Sequence, residues 1–70
     1  MSITLPENFV KPVIKGSIDG NAFVLLGAAR GTLRKAGVNQ ESITAILNEA
    51  MDGNYDHLLR TLMQYVEFDL

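Results

Sequence analysis

The sequence predicts a mainly helical α+β domain of order β-α-α-α-β, a three-helix layer beside a two-stranded ribbon made by the two ends of the chain. Three observations carry that expectation. Three central stretches repeat apolar residues at helical spacing behind small polar residues suited to capping. Alternating segments flank them, near residues 12–18 and 65–70. The chain has 70 residues and no cysteine, room for one small domain (1–70) and no disulfide framework.

Residues 1–9 have no period and include Pro6, so they read as an arm or loop. Val10, Ile14 and Ile18 then share one side against Lys15 and Ser17, the pattern of a half-buried strand over about residues 12–18, with Pro12 tolerated at its start. Asp19 suits the N-cap of the first helix, with Ile18 and Phe23 at staple spacing. That helix runs to about Ala36. Gly37 follows as a left-handed closing residue, and Leu33 and Val38 have the spacing of the apolar contact that accompanies it. The second helix starts after Asn39, with Val38 and Ile43 as its staple pair. Its stripe is Ile43, Ile46, Leu47, Ala50 and Met51, and Gly53 ends it. Asn54 caps the third, whose stripe is Leu58, Leu59, Leu62 and Val66. Val66, Phe68 and Leu70 then alternate in a terminal strand able to pair with the first. Met51 and Met63 fall at core-like spacings.

A domain this small buries only about 60% of the surface its unfolded chain exposes, so it needs staples, very good packing or a partner. Cysteine is absent and His57 is the only histidine, which leaves packing and self-association. Hydrophobic residues make up 47% and charged residues 20%, the composition of a folded soluble protein. No apolar run reaches membrane-span length, and the N-terminus lacks signal-peptide character, so a cytoplasmic location is expected. The net charge of −2 is unevenly spread. Residues 1–37 hold Lys11, Lys15, Arg30, Arg34 and Lys35 against Glu7 and Asp19, whereas residues 38–70 hold Arg60 against six carboxylates. Such asymmetry is either two solvated faces or complementarity toward a second copy or an external anion.

The first helix is the informative element. Residues 22–29 read AFVLLGAA, apolar all round, where a surface helix of a small domain needs only one apolar stripe. Its surplus is expected to form an interaction patch. Gly27 and Gly31 clear a strip for close backbone approach, by a neighbouring helix of the same chain or by another copy. Val24, Gly27, Ala28 and Gly31 are therefore the candidate oligomer contacts.

Candidate partner or ligand contacts are Phe23, Arg30, Arg34, Tyr55, His57, Arg60 and Tyr65. Arg34 and Lys35 suit the negative end of the helix dipole; Arg30, farther from that end, is harder to explain so and fits a guanidinium pair with Arg34 gripping phosphate or carboxylate. Asp56 and Arg60 have the acid-first i,i+4 order of a surface pair. His57 has neither the nucleophile nor the orienting acid of a catalytic base, and one histidine with scattered carboxylates makes no metal site. No phosphate-binding glycine motif or nucleic-acid signature appears; Asp19-Gly20-Asn21 reads as a turn into a capped helix. The expectation is no enzyme, no metal and no cofactor.

The segments Asp19-Gly20-Asn21-Ala22-Phe23, Leu33-Arg34-Lys35-Ala36-Gly37-Val38 and Asn54-Tyr55-Asp56-His57-Leu58-Leu59-Arg60-Thr61 resemble a group of short uncharacterised phage, prophage and plasmid proteins. The likeness covers about residues 18–66 and implies an accessory role in a mobile element, one that works by binding. The leading expectation is a homo-oligomeric binding protein with a protein partner, such as a host or defence protein. A second is an oligomeric sponge holding a phosphate-bearing nucleotide between Arg30, Arg34 or Arg60 and a stacking Tyr55 or Tyr65. A small nucleic-acid-binding regulator ranks last, nucleic acid being an unexpected partner at this net charge.

Overall fold

The computed structural model describes residues 3–15 and 21–69. It comprises β1 (Val13–Lys15), α1 (Ala22–Lys35), α2 (Gln40–Ala50), α3 (Tyr55–Met63) and β2 (Glu67–Asp69), the mainly helical α+β order the sequence predicts.

An asparagine opens each helix. The Asn21 side chain accepts from the backbone N–H groups of Phe23 and Val24, Asn39 from Ser42 at 2.8 Å, and Asn54 from His57 at 2.9 Å. Each satisfies donors that a helix start leaves orphaned. The first cap is thus Asn21 rather than Asp19, since the carboxamide is the group that reaches the first turn of a helix starting at Ala22. Asp19 and Ile18, with the rest of residues 16–20, lie outside the described residues. At the other end of α1, Gly37 has φ +92. The Val38 N–H donates to Leu33 O and the Gly37 N–H to Arg34 O, each at 3.1 Å, the Schellman pattern the sequence predicts. Val38 and Ile43 are both buried where α2 begins.

α2 ends at Ala50 with Met51 as its C-cap. Gly53 is not the closing residue and is not in the left-handed region. Its missing side chain makes room for His57 instead: a Cβ there would lie 2.8–2.9 Å from His57 Cβ, Cγ and Cδ2. Met51 and Met63 are 52% and 55% exposed, so neither is in the core. Both sit at helix ends, Met51 at a cap and Met63 as the last residue of α3, where the stripe turns away from its neighbours.

β1 and β2 pair in parallel, Ile14 opposite Phe68, with the three helices as the crossover that parallel strands require. The Glu67 N–H also donates to Pro12 O at 2.9 Å. Two such short strands are marginal alone. Here Ile14 and Phe68 face inward against the core while Lys15 and Asp69, in register and opposite in charge, are exposed. Val10 does not join Ile14 on the buried side; it is 81% exposed. A turn explains the difference. The Phe9 N–H donates to Pro6 O, Asn8 has φ 61, and Phe9 is the residue that packs inward. The described part of the N-terminal arm is fastened as well, by Thr4 N–H donating to the buried Ser42 hydroxyl at 2.8 Å and by Ile3 on the core.

The core gathers Leu25, Leu26, Ala29 and Leu33 of α1, Ile43, Ile46 and Ala50 of α2, and Leu58 and Leu62 of α3, with Val38 and Val66 from the connections. Each helix gives it a single stripe. For α1 that leaves the opposite side uncovered.

Candidate functional site

The uncovered side of α1 is assembled by the helical repeat. Leu25, Ala29 and Leu33 point inward, so Phe23, Gly27 and Gly31 point outward, with Val24 and Ala28 beside them. Phe23 is 82% exposed and Val24 53%. A Cβ added at Gly27 or Gly31 would meet none of the described residues within 4 Å, so the glycines admit no neighbouring helix of the same chain. This corrects one of the two sequence readings of their spacing. In a monomer each glycine forgoes about 1 kcal/mol of helix propensity with no close packing in return.

Beside the N-terminal end of α1 the outward strip opens into an apolar groove of about 220 Å³. Leu26 and Leu58 line it with Ala22, Tyr55, Gly53 and Asn54, and the exposed Phe23 and Met51 form its edges. The Tyr55 hydroxyl is sealed from solvent and has no hydrogen-bonding partner among the described residues. The groove lies where the start of α1 meets the corner between α2 and α3. Sequence reasoning named Phe23 and Tyr55 but missed Met51, because helical spacing placed that residue in the core.

A larger cleft of about 460 Å³ lies across α2 and α3, lined by Ile3, Ala45, Asn48, Glu49, Asp52, Thr61, Gln64 and Tyr65. Its ionisable side chains at neutral pH are the carboxylates of Glu49 and Asp52. Among the described residues, no basic side chain lines either cavity. Arg30, Arg34 and Arg60 are all exposed, and Arg60 Nε pairs with Asp56 Oδ2 at 3.1 Å in solvent, an interaction worth about 0.3–0.5 kcal/mol. Tyr55 and Tyr65 line different cavities. The arginines and the rings of the sponge reading are therefore not gathered around one pocket.

His57 is turned into the structure. Its Nε2 lies 2.9 Å from Glu49 O, at the carbonyl-rich end of α2, and 3.4 Å from Thr61 Oγ1, while its ring rests on Gly53. The carbonyl requires a donor, so Nε2 carries the hydrogen. The side chain ties the start of α3 to the end of α2. No group of three or more metal-ligating side chains occurs among the described residues, and no helix of the described residues is long and apolar enough to cross a membrane. Comparison of the chain with protein-family models, with curated proteins and with solved structures finds no match.

Proposed function

We propose that the protein is a non-enzymatic accessory binding protein, homo-oligomeric and cytoplasmic, that engages a protein partner through the outer face of α1 and the adjoining groove. Its setting in a phage or other mobile element, with a host or defence protein as partner, rests on the resemblance over residues 18–66. The observation that carries the binding role is the pair of large apolar side chains, Phe23 and Met51, held in solvent at the edge of an apolar groove. An isolated exposed apolar residue needs no explanation, but two bracketing a cavity form the kind of patch that marks interaction sites. A ring or branched aliphatic side chain from a partner fits the groove and covers both residues.

The nucleotide-sponge reading has less support, because phosphate recognition needs converging cations and the two cavities have none. Nucleic-acid binding has less again at a net charge of −2.

Affinity capture with the tagged chain tests the proposal, comparing it with a Met51→Glu variant. Met51 is exposed, so the change leaves the core alone. A partner retained in stoichiometric amount and lost about tenfold or more with Met51→Glu is the expected result. Equal retention by both forms contradicts it.

A further inference from the structure

We propose that the outer face of α1 is covered by a second copy of this chain, the two α1 helices crossing antiparallel about a two-fold axis at Gly27. The inference rests on reading that face as a binding surface and fills it with a second copy in the uncomplexed protein, so that a different partner engages it by displacing the dimer. A failed capture leaves it standing.

The first ground is shape. Phe23, Gly27 and Gly31 recur every four residues and form one outward row with a large ring at one end and bare backbone at the middle and far end. At a rise of about 1.5 Å per residue, Phe23 and Gly31 lie about 6 Å on either side of Gly27. A two-fold axis there sets Gly27 against Gly27 of the second copy and each Phe23 over the other copy's Gly31. An isologous contact needs this reciprocity, in which position i meets j and j meets i. Space for the ring exists, since none of the described residues lies within 4 Å of where a Gly31 Cβ would stand.

The second ground is charge. α1 has no acidic residue, and its three charges, Arg30, Arg34 and Lys35, all belong to its C-terminal half. Beside its N-terminal end is the corner between α2 and α3, whose residues line a groove with Ala22, Phe23 and Leu26. That corner carries the exposed Asp52 and Asp56; Asp56 pairs with Arg60, so Asp52 supplies its net negative charge. Antiparallel crossing brings the basic end of each α1 to the acidic corner of the other copy. Parallel crossing would set Arg30, Arg34 and Lys35 against themselves. Charge complementarity thus selects both the occupant and its direction.

A standard interface covers about 800 Å² per partner, about one-sixth of the 4653 Å² that each copy exposes. One helical row is too narrow for that, so the contact extends onto the corner where the opposite charges lie. Association is expected to weaken as salt rises.

Light scattering and single-cysteine cross-linking test the proposal on the intact chain, which has no cysteine of its own. Mass should double from 7.7 kDa with concentration. Gly31→Leu should raise the dimer dissociation constant about tenfold or more, with helical circular dichroism unchanged because the site is open in the monomer. Gly27→Cys should oxidise to a covalent dimer. Arg34→Cys should not, because its two copies would stand about 21 Å apart along the helices. A chain that stays monomeric at every concentration overturns the inference. So does a dimer indifferent to Gly31→Leu, or one that Arg34→Cys cross-links as readily as Gly27→Cys.

Discussion

Two glycines of the same helical region are expected to respond to alanine with opposite signs. At Gly31 the added Cβ meets open space, and the helix gains the propensity that glycine withholds, so Gly31→Ala should stabilise the dilute monomer by about 1 kcal/mol. At Gly37 the backbone has φ +92 and Pro6 Cγ lies 3.5 Å from the new Cβ. Gly37→Ala should therefore cost about 1 kcal/mol or more through left-handed strain and a loosened Schellman closure. Urea denaturation of both variants reads the two signs, and stabilisation by Gly37→Ala would refute the closure. Tyr55 offers a third change. Its sealed hydroxyl has no partner among the described residues, so Tyr55→Phe should be neutral or stabilising by up to about 1 kcal/mol, where loss of a made hydrogen bond would destabilise. The same titration decides it. Residues with a strong local signature, such as Gly37, are legible in sequence because φ preference is a property of the residue itself. Burial is not such a property. Met51 and Met63 continue their helical stripes, yet helix ends leave them in solvent.

At the scale of elements, three asparagine caps define the helix starts. Asn39→Ala should cost about 1 kcal/mol, within a range of about 0.5–2, by orphaning the Ser42 N–H. Asn39→Asp should retain most of that stability, and thermal unfolding of the pair checks it. An alanine variant as stable as the wild type would mean that the cap contributes nothing. Asn39 and Asn54 were readable because each stands alone before an apolar stripe. Asn21 was not, because Asp19, Gly20 and Asn21 offer two capping residues two positions apart, and only the actual first turn chooses between them. The strands were legible in existence but not in direction. Alternation near each terminus places β1 and β2, whereas their parallel register follows from how three helices return the chain. Val10 departs from the alternation because the turn at Asn8 breaks it before the strand begins.

For the whole molecule, the question is what an all-apolar segment does when only one of its faces is used. Composition alone showed that residues 22–29 carry more apolar surface than a small domain needs. It did not show which residues would be left over. The fold answers that by placing Leu25, Leu26, Ala29 and Leu33 inside and Phe23, Val24, Gly27 and Gly31 outside. Charge asymmetry was likewise visible along the chain, but its use depends on the α2–α3 corner lying beside the start of α1, a relation between residues about thirty positions apart that no local pattern encodes. The guanidinium and tyrosine cluster expected for an anion did not form, because Arg60 is taken by Asp56 and the two rings line separate cavities.

A dilution series followed by amide NMR tests the proposed role of the α1 face most directly. Backbone signals of residues 23, 24, 27, 28 and 31, together with Asp52 and Asp56, should move with protein concentration while those of Leu33, Ile43 and Ile46 stay fixed. Signals unmoved across the micromolar-to-millimolar range, or movement confined to β1 and β2, would contradict it.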